Sequence, residues 1–299
     1  MTTTQALGTV AVGYDSTPHS DVALAWAVQH AAALGRPLLV VHACGAPRGY
    51  AGYGDATLTV TRHELRVAGR RVLNHGLALA RKIDPTVELR EHLAVGLPRD
   101  VLDEVTASGA HLLVVGTRGH GRVSSYLLGS VSEGVSVGAT CPVVVVREHE
   151  VPDKHSPYAG RIVVGIDGTD VSRAALDAAF ALASLEHRPL AVLHAWDDAV
   201  RWRDQTSYEI RRETSTEHEL QLAESLAGYK EKYPDVAVSL HQVETDARWA
   251  LVDASRHAHL VAVGSRGRGD TAALVLGSVS RHVVEHAHGP VMVARTDAV

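Results

Sequence analysis

The segments LLVVGTRGHG (112–121) and LVAVGSRGRG (260–269) decide the fold of this chain. Each is an apolar run that ends in glycines, and each opens the same longer pattern, Gly-x2-Gly-x9-Gly-Ser, over residues 116–130 and 264–278. A strand that leads through a glycine loop into a helix suits an anion, because glycine lets backbone N–H groups come close and the helix N-terminus adds unpaired donors. The sequence therefore predicts two phosphate cradles.

The two glycine patterns belong to a repeat that covers most of the 299 residues. Three further pairs of segments correspond: TVAVGYDSTPHS (9–20) with RIVVGIDGTDVS (161–172), PLLVVHA (37–43) with PLAVLHA (189–195), and CPVVVVR (141–147) with GPVMVAR (289–295). The length suits two domains of ordinary size. We expect a first domain at 1–147, a polar linker at 148–160 and a second domain at 161–299.

Short apolar runs alternate with helical periodicity in each copy, which is typical of a parallel sheet with crossover helices. The first copy has predicted strands at 8–13, 38–43, 87–93, 112–116 and 143–147, and the second at 161–166, 190–195, 236–242, 260–264 and 291–295. The third strand of each copy alternates apolar and polar residues, so we expect it at a half-exposed edge. The fifth strands are continuously apolar, so we expect them to pair with each other, as a pseudo-dimer within the chain, or with another chain in a homodimer.

Between these strands, the helices show spacings of three and four residues. One predicted buried face consists of Leu65, Ala68, Val72, Gly76, Leu79 and Ile83, and another of Val171, Ala175, Ala178, Leu182 and Leu185. Gly35, followed by Pro37, predicts where the first helix ends.

Composition narrows the functional class. A net charge of −5 without a clustered basic segment argues against nucleic acid as a partner. The N-terminal residues lack the features of a leader, and no run is long enough to span a membrane, so we expect a cytoplasmic protein. Cys44 and Cys141 lie beside apolar strands, which favours buried thiols over a disulfide.

These motifs resemble the universal stress protein family in its tandem-domain form, over nearly the whole chain and in both copies. The resemblance implies two Rossmann-like domains, each an open parallel five-stranded sheet of order 3-2-1-4-5 with helices on both faces. It also implies ATP at two sites per chain. ATP-binding members share the glycine pattern, an aspartate after the first strand and a backbone contact to adenine at the end of the second.

Carried onto this sequence, the resemblance gives a site in each copy. The ATP-binding residues it implies are Asp15, Ala43, Gly116, Thr117, Gly119, Gly129, Ser130 and Val131 in the first copy, and Asp167, Ala195, Gly264, Ser265, Gly267, Gly277, Ser278 and Val279 in the second. The aspartates could bind ribose hydroxyls or help to hold Mg²⁺ on the phosphates.

Several of these residues also have a structural alternative. The aspartates and Ser130 and Ser278 could cap helices, and Gly119 and Gly267 could be turn glycines. Arg118, Arg122, Arg266 and Arg268 could reach phosphates, although solvated loop charges are the commoner case. His42 and His194 end the second strands, and we interpret them as packed, hydrogen-bonded histidines. The close pairs His257/His259 and His286/His288 lack a third ligand at the usual spacing, so we expect no metal site of the protein's own.

The glycine loops lack the Gly-Lys-[Ser/Thr] ending of a P-loop, whose lysine contacts the β- and γ-phosphates during transfer. No acid and base pair or nucleophile elbow stands out. The sequence therefore favours a nucleotide-dependent stress-response regulator with no catalytic residues and at most slow ATP hydrolysis. The alternatives are a slow ATPase or nucleotidyl transferase of the related adenosine-binding α/β group, and an adaptor that holds a protein partner and carries structural nucleotide.

Overall fold

A computed structural model of the chain describes residues 6–45, 61–117, 129–148, 153–167, 170–196, 226, 228–265 and 276–295. The chain divides into two compact units, one formed by Met1–Glu148 with Asp297–Val299 and the other by His149–Thr296. Within the described residues, no helix is long and apolar enough to cross a membrane.

The first unit is a parallel sheet whose strands follow the order β3-β2-β1-β4-β5. Its elements are β1 Val10–Gly13, α1 Pro18–Leu34, β2 Leu38–Cys44, α2 Arg62–Ile83, β3 Leu89–Val95, α3 Pro98–Ala107, β4 Leu112–Gly116, α4 Ser130–Gly138 and β5 Val143–Val146. This confirms the predicted strand order.

The second unit repeats the arrangement, with the order β8-β7-β6-β9-β10. Its elements are β6 Ile162–Ile166, α5 Asp170–Leu185, β7 Leu190–Trp196, a helical segment α6 at 228–232, β8 Val238–Glu244, α7 Ala247–Ala254, β9 Leu260–Gly264, α8 Ser278–His286 and β10 Val291–Ala294. The central strands β1, β4, β6 and β9 are almost wholly buried, as their apolar runs require.

Helices cover both faces of the sheet in the first unit. A side chain at Gly13 would point at Leu102 of α3, whose Cδ1 lies 3.2 Å from the Cβ position, whereas the ring of the next residue, Tyr14, lies against Gly76 of α2. Successive residues along a strand point to opposite faces, so α2 and α3 lie on opposite sides. Gly165 faces Leu251 of α7 in the same way in the second unit.

The third strands occupy the edges, as predicted, and both β3 and β8 are only half-buried. Each begins two residues later than the sequence suggested, at Leu89 and Val238. A turn precedes β3, where the Asp84 carboxylate accepts from the Thr86 N–H at 2.8 Å. Side-chain bonds of this kind draw the backbone out of the ladder, which delays the strand.

The predicted buried face of α2 is wrong except at Gly76, although the helix itself is present. Its buried residues are Gly69, Leu73, Gly76, Leu77 and Ala80, whereas Leu65, Val72, Leu79 and Ile83 are half-buried and Ala68 is exposed. The helix turns its glycines toward the sheet because side chains already fill the space there: Gly69 lies against Cys44 and Gly76 against the Tyr14 ring. In α5 the prediction is partly right, since Ala175 and Leu182 are buried but Ala178 and Leu185 are half-buried; the side chain of Val171 lies outside the described set.

The first helix ends where the sequence predicts. Gly35 is the C-cap of α1, with a left-handed φ of 58°, and its N–H donates to the carbonyls of Ala31 and Ala32. The corresponding residue of the second unit is His187, which takes φ 51° without the freedom of glycine.

Candidate functional site

The two ends of each glycine loop are hydrogen-bonded to each other. The Gly129 N–H donates to the Thr117 carbonyl at 2.8 Å, and the Gly277 N–H donates to the Ser265 carbonyl at 2.9 Å. In both units the residue that follows the strand is therefore bonded to the residue that precedes the helix. Gly119, Gly267 and the four loop arginines lie outside the described residues.

A buried serine fastens the helix to the strand a second time. The Ser132 hydroxyl donates to the Gly116 carbonyl at 2.7 Å, and the Ser280 hydroxyl donates to the Gly264 carbonyl at 2.5 Å. Sequence reasoning missed both residues, although the repeat of Gly-Ser-Val-Ser at 129–132 and 277–280 was a signal that could have found them.

Ser130 and Ser278 do not cap the helices that they begin. Gly129 and Gly277 occupy the N-cap positions without a side-chain cap bond, and Ser130 and Ser278 are the exposed first residues of α4 and α8. The N–H groups of a first helical turn have no acceptor within the helix. The capping alternative for Ser130 and Ser278 is therefore wrong, and the first-turn donors, with Val131 and Val279 among them, lie beside the strand ends.

Packing requires Gly116 whether or not an anion binds. A Cβ at this position would lie 2.6 Å from the carbonyl oxygen of His19, in the first turn of α1. Because residue 116 is a glycine, α1 can pack closely against the end of β4. Thr117 and its counterpart Ser265 are buried directly after the strand.

Asp15 is held in a turn between β1 and α1. Its Oδ1 accepts from the Thr17 N–H at 3.1 Å and from the Thr17 hydroxyl at 2.6 Å. Thr17 is the N-cap of α1 and accepts from the Ser20 N–H, so Asp15 does not cap the helix. Ser16 takes a left-handed φ of 62°, and Gly168 stands at the matching position of the second copy. Asp167 lies directly after β6 and is half-buried.

The second strands extend past the first strands into the same region. The last β1–β2 pair is Gly13 opposite Val41, whereas β2 continues to Cys44. In the second unit the last such pair is Ile166 opposite His194, and β7 continues to Trp196. Ala43 and Ala195 thus lie beyond the last pair, where the described part of the first strand offers their backbone no ladder partner. This is the crevice outside the carboxyl ends of the strands, at the point where the strand order reverses.

The histidines before these alanines are hydrogen-bonded, as predicted. His42 Nδ1 lies 2.7 Å from the Tyr14 carbonyl oxygen, and His194 Nδ1 lies 3.1 Å from that of Ile166. In the first unit the bond joins β2 to the residue that follows β1. In the second unit it joins β7 to the last residue of β6. The backbone ends around each candidate site are therefore held in the same way.

The family follows from a comparison with known proteins. The model of the universal stress protein family matches residues 7–147 and 159–295. The chain belongs to the universal stress protein family. A universal stress protein of Mycobacterium tuberculosis is 36% identical over 298 residues, which cover 96% of each chain. Another from the same organism is 35% identical over 300 residues, with the same coverage.

Solved structures show the same fold. The crystal structure of a universal stress protein from Archaeoglobus fulgidus has a TM-score of 0.65 and 18% identity, and the match covers 97% of both chains. At that identity the likeness concerns the fold alone. It agrees with the two tandem α/β units that the strand order shows.

His257 and His259, a close pair in the sequence, contact different residues. His257 Nδ1 accepts from the Asp153 N–H at 3.1 Å, whereas His259 Nε2 lies 2.8 Å from Glu186. Among the residues that the structure describes, no three His, Cys, Asp or Glu side chains lie close enough to hold a metal ion. Cys44 and Cys141 are buried, and neither forms a disulfide, as expected. Burial raises the pKa of Cys44.

Proposed function

We propose that this universal stress protein binds ATP in both units and acts as a nucleotide-dependent regulator of the stress response. The observation that carries the proposal is the double fastening of helix to strand end, by Gly129 and Ser132 in one unit and Gly277 and Ser280 in the other. It fixes the first-turn N–H groups of α4 and α8 beside the switch point of each sheet. Those donors, together with the positive end of the helix dipole, suit a polyphosphate.

Residues of the crevice suit the rest of the nucleotide. Ala43 and Ala195 offer backbone groups beyond the last strand pair, which suits the edge of an adenine base. The Asp15 carboxylate is already oriented by Thr17, so it can accept from ribose hydroxyls or help to hold a magnesium ion. Bound Mg²⁺ would neutralise part of the phosphate charge, and a carboxylate oxygen is a ligand that it prefers.

We further propose that the protein is a regulator with at most slow hydrolysis. The glycine loops carry no lysine that could follow the β- and γ-phosphates. We expect turnover well below about 1 per second, the low end of ordinary enzymes. Turnover at or above that rate in a phosphate-release assay would favour the slow ATPase or transferase instead.

Isothermal titration of ATP and Mg²⁺ into nucleotide-stripped protein tests the binding proposal, with two sites per chain as the expected stoichiometry. Gly129→Ile and Gly277→Ile each place a branched side chain at a helix start and should remove one site. The double variant should remove both. In each single variant the untouched site is the control for binding by the rest of the chain, and circular dichroism is the control for folding.

Absence of ATP binding to the stripped wild-type protein would overturn the proposal. Binding that survives in the double variant would place the nucleotide elsewhere. Nucleotide released from denatured, freshly purified protein identifies whether ATP, ADP or a cyclic nucleotide is preferred. The cytoplasmic location, the protein partner and the pairing of fifth strands stay predictions.

A further inference from the structure

The residue just before Asp15 has all its polar groups bonded to neighbouring elements. The Tyr14 N–H donates to the Val41 carbonyl at 2.8 Å, and its own carbonyl lies 2.7 Å from His42 Nδ1. Its hydroxyl lies 2.7 Å from Asp21 Oδ1 in α1 and 2.7 Å from His75 Nδ1 in α2. Tyr14 is 3% exposed, and its ring stacks near His75 at a centroid distance of 6.2 Å. One side chain thus ties the end of β1 to two helices.

Counting protons assigns the direction of both hydroxyl bonds. A phenol has one hydrogen, and the Asp21 carboxylate can only accept, so Tyr14 donates to Asp21. The phenol oxygen then accepts from His75, which requires a proton on Nδ1. His75 is therefore either the neutral Nδ1–H tautomer or the imidazolium. Burial, followed by the bond to Asp21, raises the pKa of Tyr14, so the phenol keeps its hydrogen at neutral pH.

The trio of Tyr14, Asp21 and His75 brackets the candidate nucleotide residue. Asp15 follows Tyr14 directly, and the N-cap Thr17, which holds the Asp15 carboxylate, lies four residues before Asp21. The trio fixes both ends of this short turn against the sheet. A shift at Tyr14 or Asp21 moves the Asp15 carboxylate and the start of α1 together.

The second unit lacks this arrangement in its sequence. Ile166 stands where the first copy has Tyr14, and Arg173 stands where it has Asp21. The strand-end bond to the second-strand histidine is retained there, at 3.1 Å instead of 2.7 Å. The two units therefore share the hydrogen bonds at the ends of the glycine loop, but the second has neither the tyrosine nor the aspartate at the matching positions.

We propose that Tyr14, Asp21 and His75 are positioning residues that preorganise the Asp15 turn and raise nucleotide affinity at the first site only. This inference rests on the proposed function. The Tyr14–Asp21 bond is partly buried, and a hydrogen bond to a charged group is worth about a factor of ten or more in an equilibrium constant. Tyr14→Phe should therefore weaken ATP binding at the first site by about tenfold.

The experiment is a titration of ATP into the full-length chain in two backgrounds. With Gly277→Ile only the first site binds, and Tyr14→Phe should weaken it. With Gly129→Ile only the second site binds, and Tyr14→Phe should leave its affinity unchanged. His75→Asn keeps an N–H donor toward the phenol, so first-site binding should stay closer to wild type than in His75→Leu.

Nitrogen-15 NMR of the histidine rings tests the assigned direction of the bond between His75 and the Tyr14 hydroxyl. In the wild-type protein at neutral or higher pH, His75 should show the Nδ1–H tautomer, and Tyr14→Phe should return it to the Nε2–H form. The inference would be overturned if Tyr14→Phe bound ATP at the first site as tightly as the wild type, or if wild-type His75 were the Nε2–H tautomer. The proposed function would survive either result as long as the wild type binds ATP at two sites. A wild-type chain that binds no ATP would overturn the proposed function itself.

Discussion

The two units share the hydrogen bonds at the ends of the glycine loop and differ in side chains at other positions. Gly129 and Ser132 bind the strand end in the first unit as Gly277 and Ser280 do in the second. At other positions of the two units the residues differ: Tyr14 is matched by Ile166, Gly35 by His187, and Gly134 by His282. The comparison indicates that the two copies retain the hydrogen bonds between helix and strand end, whereas the residues that pack elsewhere in each unit can vary.

The largest effect on stability is expected at Gly116, which packs against the backbone of α1. Gly116→Ala would place a Cβ 2.6 Å from the His19 carbonyl oxygen, which lies in a helix and cannot move alone. We expect a loss of about 2–3 kcal/mol in the free energy of unfolding of the first unit. Urea denaturation followed by circular dichroism measures the loss, and hydrogen exchange locates it to the first unit.

The matched control is Gly228→Ala in the second unit. Gly228 lies in the helical segment 228–232 with nothing within 4 Å of its Cβ position. The substitution should stabilise the protein by about 0.5–1 kcal/mol, because alanine favours a helix. If both substitutions change the stability by the same amount, close packing is not what Gly116 provides.

A smaller effect is expected at the C-terminal ends of α1 and α5. His187→Gly should stabilise the second unit by about 1 kcal/mol, because a non-glycine residue is strained at φ 51°. Gly35→Ala should destabilise the first unit by about the same amount, since nothing lies within 4 Å of its Cβ position and only the backbone conformation is affected. Thermal unfolding of the two variants should give shifts of opposite sign, and shifts of one sign would contradict the comparison.

The smallest effect concerns the pH dependence of the second unit. His282 packs against the edge of Trp249 and stacks on His286, and its buried Nε2 has no hydrogen-bond partner among the residues that the structure describes. Burial, then the positive charges of His286 and Arg248, lower the pKa of His282, although Glu285 and Asp246 oppose the shift.

Because that pKa is lowered in the folded state, the unfolded chain takes up the proton first as the pH falls. The contribution of His282 to stability is therefore complete above the unfolded pKa of about 6.5 and is lost as the pH falls through that value toward the folded pKa. His282→Gln should reduce the difference in stability between pH 7.5 and pH 5. His63→Gln, an exposed histidine of α2, is the control. An unchanged difference in the His282 variant would contradict this reading of its burial.

Much of the fold could be predicted because short-range patterns record it. Alternation in the third strands predicted their edge positions, and the continuous runs of β4 and β9 gave bounds that agree with the structure. The helix stop at Gly35 was equally local. Most of the buried face of α2 could not be predicted, because it is set by side chains far away in sequence, such as Cys44, which lies against Gly69.

The candidate site divides in the same way. The glycine pattern marked the loop ends, and the aspartates follow strands as expected. The anchoring serines were missed, because a serine at the start of a helix has many local uses and its acceptor, the Gly116 carbonyl, is 16 residues away. The trio around Tyr14 was missed as well, since His75 lies 61 residues from its partner.

The sequence by itself determined the doubled order of strands and helices, the position of each glycine loop and the family, since these follow from local spacing and from the repeat. Only the tertiary structure decided which glycines serve close packing, which hydroxyls tie helix to strand, and which side chains hold the Asp15 turn. The reason is physical: periodicity shows which residues can be buried. The partner of a buried polar or small residue depends on elements that meet only when the sheet is assembled.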